Sequence, residues 1–134
     1  MAKTTITIDE QQVPFKASAY TPILYGQLFS GCDFLNDIDE LENDMRAGEL
    51  NVHAYEIFAR VAFCLHFQAL GNGTKRTEEQ EAMLDKYGSA YDWIDEFSAF
   101  SIYQIFPQLM LLWAGQAVPA VTLQKKTRER AQDQ

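Results

Sequence analysis

The segment Asn51–Leu70, NVHAYEIFARVAFCLHFQAL, leaves the chain little freedom. Tyr55, Phe58, Ala62, Leu65 and Ala69 recur at helical spacing as one stripe, and Ile57, Val61, Cys64 and Phe67 form a second beside it. A helix that is apolar around most of its circumference cannot lie on a surface. These residues therefore predict a central, buried helix that the rest of the chain must cover. With 134 residues, 47% of them hydrophobic and 13% aromatic, the chain has the material for one such core and suits a single domain over 1–116.

The covering elements are legible on either side. In TTITIDEQQVPFKAS, Ile6 and Ile8 alternate with Thr5 and Thr7. Beyond a polar turn around Asp9–Gln12, Val13, Phe15 and Ala17 alternate with Pro14, Lys16 and Ser18. This predicts a two-stranded hairpin over 4–17, with Pro14 marking an edge. Thr21 reads as an N-cap and Pro22 as a first helical residue, with Tyr20 packing on Tyr25 as a staple. Gly31 reads as the left-handed stop. Asp33 then caps a helix whose apolar face is Phe34, Ile38, Leu41 and Met45, ending at Gly48. Asp37, Asp39, Glu40, Glu42 and Asp44 fall mostly off that face and read as solvated, since no register matches a calcium loop.

After the buried helix, GNGTKR is a loop, and Thr77-Glu-Glu-Gln80 is a capping box for a short helix ending at Gly88. Ser89 caps another helix. From Ala99 to Trp113 an apolar stripe runs in phase across Pro107, which predicts a kinked helix rather than two. The fold class is thus mainly α (α+β): a hairpin and about five helices over 21–115, with a flexible basic tail over 117–134.

Charge narrows the partners. The net charge is −8, and the tail carries Lys125, Lys126, Arg128 and Arg130 against Glu129 and Asp133, so the body is more acidic than the whole. Such a body repels phosphate backbones, which argues against nucleic acid. No apolar run is long enough to span a bilayer, and Lys3 is followed by Thr-Thr rather than a signal-peptide core. A soluble, intracellular protein with reduced, semi-buried Cys32 and Cys64 is the expectation.

The residues offer no catalytic set, cofactor motif or metal centre. His53 and Glu56 have ligand spacing, but the other histidine, His66, is more than three turns away. The plain reading is a helix-start histidine beside a solvent-exposed Glu56–Arg60 pair. What stands out is a surplus of aromatic side chains on short helices. Either they fill the core, or part of them forms a partner site. The candidate surface is Ser89–Trp113, carried by Trp93, Phe97, Phe100, Tyr103 and Trp113.

The order of these segments resembles the tail assembly chaperones of long-tailed bacteriophages and prophages of Gram-positive hosts. The resemblance covers Thr5 to Trp113: the hairpin, TPILYGQLFSG leading into CDFLNDIDEL, AYEIFARVAFCLHFQAL, and WIDEFSAFSIYQIFPQLMLLW. In the last, Trp93, Phe97 and Trp113 match the family's tryptophan and leucine–tryptophan pattern. The chain departs from that pattern at Gly26 and Gln27, where related sequences carry charges; Gly26 is expected to mark a close packing contact. The resemblance implies a non-enzymatic holdase that keeps the tape measure protein soluble while tail tube subunits polymerise around it. It would act in the host bacterial cytoplasm and be absent from the mature virion. Contact with the tail tube protein and homo-oligomerisation are further expectations. The alternative class is a structural morphogenetic protein of the particle, a head–tail connector or completion subunit.

Overall fold

A computed structural model describes residues 2–117, and the tail expected beyond them lies outside the described residues. The order is β1 (Ala2–Ile8), β2 (Gln11–Ala17), α1 (Thr21–Leu28), α2 (Phe34–Ala47), α3 (Val52–Ala69), α4 (Glu78–Lys86), α5 (Ala90–Ile94) and α6 (Ile102–Ala117). The mainly helical class with an N-terminal hairpin holds, with six helices rather than about five. No described helix is long and apolar enough to cross a membrane.

α3 is the centre, as its sequence requires. Ile57, Phe58, Val61, Leu65 and Phe67 are buried on its several sides, against β2, α1, α2, α5 and α6. Tyr55, placed on its first stripe by spacing, is an exception and lies exposed near the helix start. The hairpin covers one side with Ile6, Ile8, Val13 and Phe15, and α6 lies along it.

The hairpin turn is tighter than its sequence suggests. Gln11 and Gln12 already belong to β2, and the reversal is made by Asp9 (φ 58°) and Glu10 (φ 65°) alone. Two consecutive left-handed residues match the right-handed twist of the strands. Asp9 is then held from afar: its carboxylate accepts hydrogen bonds from the backbone N–H and hydroxyl of Ser98, just ahead of α6, and these bonds lower its pKa. Pro14 stands opposite Thr5. Its carbonyl accepts from Nδ1 of His66 at 2.8 Å, so its missing N–H also faces away from β1 and no ladder bond is lost.

The start of α1 differs from expectation. Thr21 is a helical residue rather than the cap. Its hydroxyl accepts from the Ser18 N–H at 2.9 Å and donates to Gln68 of α3 at 2.7 Å, while the Gln68 amide donates to the Ser18 hydroxyl. The hydroxyl that a local cap would use is drawn into a buried tertiary contact. Tyr20 is held through its hydroxyl to Gln27 instead of acting as a staple. The caps at Asp33, Asn51, Thr77 and Ser89 form, Thr77 with its full capping box. Gly31 (φ 85°) and Gly48 (φ 70°) are left-handed, Gly31 lying in the turn beyond the end of α1. α6 passes through Pro107 as one helix.

Gly26 marks no close contact. A Cβ built there would meet only the Cys32 carbonyl oxygen, at 3.9 Å, an ordinary van der Waals distance. Gly26→Ala should therefore raise stability by up to about 1 kcal/mol, read as a higher urea midpoint with an unchanged m-value. Unaltered or lower stability would mean that the glycine serves another purpose.

His66 generates a pH prediction. Its ring stacks on Trp93 (centroids 5.0 Å apart, 9° between planes) and meets Phe15 edge-on. Burial lowers its pKa from the ordinary 6.5, and the bond to Pro14 only partly opposes this. The unfolded chain then binds the proton more readily than the folded protein. The stability conferred by neutral His66 is complete above pH 6.5 and drains as pH falls through and below that value. His66→Asn keeps a donor for Pro14 but does not titrate, so its stability should fall less steeply between neutral and mildly acidic pH. Equal slopes in the two proteins would refute this.

Candidate functional site

α2 and α6 both pack on α3 and leave a groove between them. α2 turns Phe34, Ile38 and Leu41 into the core, as its 3.6-residue pattern dictates. α6 does the same with Ile102, Ile105, Phe106, Leu109 and Leu112. Between these inward faces lies an open recess of about 550 Å³, lined by Glu42, Met45 and Arg46 from α2 and by Phe106, Pro107, Met110, Leu111 and Ala114 from α6. Leu111 is 74% exposed. α6 contains no charged residue, in a chain whose net charge is −8. Among the described residues the groove's only charges, Glu42 and Arg46, are of opposite sign. Its two methionines have flexible, polarisable side chains that adapt to differently shaped partners.

A polar cluster sets the position of α2. Arg60 of α3 and Asp37 of α2 pair at 3.2 Å with side chains only 11% and 10% exposed. Tyr25 of α1 donates to the same Asp37 oxygen at 2.7 Å and accepts from Nε of Arg60 at 3.1 Å. Tyr91 of α5 accepts from Nη1 of Arg60 at 3.1 Å. Burial and the Asp37 carboxylate push the Tyr25 hydroxyl well above its usual range, so it stays a donor. One guanidinium thus joins four helices.

Two expectations are corrected here. Arg60 does not pair with Glu56: it turns inward to Asp37, because a buried carboxylate hydrogen-bonded to Tyr25 offers a stronger partner than an exposed one. Asp37 is accordingly buried, not part of the solvated acidic face. Glu56 lies 3.6 Å from His53, whose other nitrogen is 3.1 Å from Glu40. Among the described residues, no group of three or more His, Cys, Asp or Glu side chains is placed to hold a metal ion. Cys64 is fully buried, which pushes its thiol pKa far up.

The five aromatic candidates do not form one surface. Trp93 is 4% exposed, sealed between His66 and Phe63. Phe97 and Phe100 are half-buried and meet Trp93 and each other edge-on at 5.0–5.5 Å. Trp113 is half-buried against Phe34, so it ties α6 to α2. Tyr103 alone is largely exposed, at 63%. Three of the five thus form a packed triangle, in which Phe100 also lines a recess between α3 and α5. The residues that do open outward, Met45, Pro107, Met110 and Leu111, carry a sequence signal in hindsight. Pro107, Met110 and Leu111 sit on a charge-free helix, facing Met45, the one methionine of a mostly acidic neighbour.

Removing Asp37 should strand a buried guanidinium. Asp37→Ala is expected to cost about 3–5 kcal/mol, whereas Glu56→Gln should stay within about 0.5 kcal/mol. Asp37→Ala/Arg60→Met should recover part of the loss. Urea denaturation of these proteins and of Arg60→Met alone checks this, and additive effects at positions 37 and 60 would count against the pairing.

No family model matches the chain, and no curated protein or solved structure matches it, so the functional reading rests on its own residues.

Proposed function

We propose that this protein is a non-catalytic tail assembly chaperone of a long-tailed bacteriophage or prophage, which holds exposed apolar helices of the tape measure protein in its α2–α6 groove. The observation that carries the reading is the groove itself: apolar, about 550 Å³, walled by a charge-free helix and set in an acidic body. An apolar trough between two helices takes a third amphipathic helix along its length. A tape measure protein is a long, apolar-rich helical rod that is exposed until its tube forms. A holdase must bind many segments of such a rod without strict sequence requirements, and Met45 with Met110 suits that task. The acidic face of α2, with Asp39, Glu40 and Asp44, would keep the complex soluble. The resemblance of Thr5–Trp113 to this family points the same way. The protein would act in the host cytoplasm and leave before the particle is complete.

Co-expression with the tape measure protein encoded nearby tests the reading. The unaltered chain should raise the soluble fraction of that protein several-fold. Leu111→Asp with Met110→Ser should remove the effect while the thermal midpoint stays near its original value, because these side chains are exposed or half-buried. Client solubility that does not respond to the chain would overturn the proposal. So would recovery of the protein in purified virions, where a connector or completion subunit would remain.

A further inference from the structure

We propose that a second, acidic-rimmed groove between the start of α3 and α5 binds a cationic peptide segment of a partner protein, one presenting a lysine or arginine beside an aliphatic residue. This inference does not depend on the α2–α6 groove. The recess has a volume of about 280 Å³ and a floor that includes Phe58. Val52, Tyr55 and Tyr91 rise around it, all exposed, Val52 at 76%. An apolar floor with tyrosines at its edge is the composition of an interface centre.

Charge selects the occupant. Glu56 and Asp95 line the recess, and among the described residues no lysine or arginine does; His53 lies 3.6 Å from Glu56 outside the lining. The nearest guanidinium, Arg60, reaches the Tyr91 hydroxyl from beneath and is neutralised by Asp37. The α2–α6 groove, in contrast, balances Glu42 with Arg46. Two carboxylates and two exposed tyrosine rings around an apolar floor offer a lysine or arginine both ion pairing and the faces of aromatic rings. An aliphatic neighbour would fill the floor. The ring of Tyr91 is already held by Arg60, so less ordering is needed on binding.

The test titrates a fluorescent leucine–lysine peptide, and its leucine–glutamate counterpart, into the full-length protein at low salt. The lysine peptide should bind and the glutamate peptide should not. Glu56→Gln/Asp95→Asn should weaken binding about tenfold, while Glu78→Gln/Glu79→Gln, which removes equal charge elsewhere, should change it by no more than about twofold. Val52→Ser, which alters no charge and no buried contact, should also weaken binding. Amide shifts by NMR should concentrate at Val52, Tyr55 and Tyr91. Equal losses from both charge pairs would reduce the effect to net charge and overturn the proposal. Shifts centred on Met45 and Leu111 would move the binding to the other groove and overturn it too. Binding that emerges only after Lys125, Lys126, Arg128 and Arg130 are changed to glutamine would assign the recess to this chain's own basic segment, again against a separate partner.

Discussion

A helix closed to water on most sides beyond its first turns imposes one problem above all: the polar side chains on that stretch must find partners inside the protein. α3 carries three such groups along its length, and neighbouring elements meet each of them. Arg60 finds Asp37 and Tyr25, His66 finds the Pro14 carbonyl, and Gln68 finds Thr21 and Ser18. Apolar packing would tolerate small rotations of α1, α2 or the hairpin about α3. These hydrogen bonds do not, because a shifted layer would leave a buried donor or acceptor unmatched at a cost of roughly 1–3 kcal/mol each. The hydrophobic surface makes α3 central, and the polar residues on it set where its neighbours sit.

The α2–α6 groove follows from that arrangement. α2 is anchored to α3 and α1 through Arg60 and Tyr25, and α6 to α3 through Phe58 and to the hairpin. The walls meet where Phe34 touches Trp113. Farther along, nothing draws them together, and Leu111 faces outward with no partner in the described residues. The opening is thus a product of how two helices are tied to a third.

Much of this was legible in the sequence where the determinants are local. The all-round apolar pattern of 51–70, the hairpin alternation, and the caps at Asp33, Thr77 and Ser89 each depend on neighbours a few residues apart. Reading failed where a residue had two plausible partners and the distant one prevailed. Arg60 has Glu56 one turn away but bonds to Asp37, 23 positions off. Thr21 is placed like a cap but bonds to Gln68, 47 positions off. Trp93 has the size of an interface anchor, yet His66 offers it a parallel ring in the interior. For the candidate site, spacing drew out the aromatic residues of Ser89–Trp113, whereas the α2–α6 groove is lined by other residues of α6. Aromatic bulk drew attention inward, whereas the outward face is marked by the absence of charge.

The turn at Asp9 and Glu10 has a consequence for how the chain assembles. Neither residue is glycine, and each left-handed conformation costs an L-residue roughly 1–2 kcal/mol. A hairpin of this kind gains little from its own turn and is marginal in isolation. Its Asp9 carboxylate is anchored by Ser98, 89 residues away. That clasp can close only when the segment leading into α6 has returned to the hairpin. The turn thus draws part of its order from a long-range contact, of the kind that slows folding rather than the kind a hairpin makes by itself.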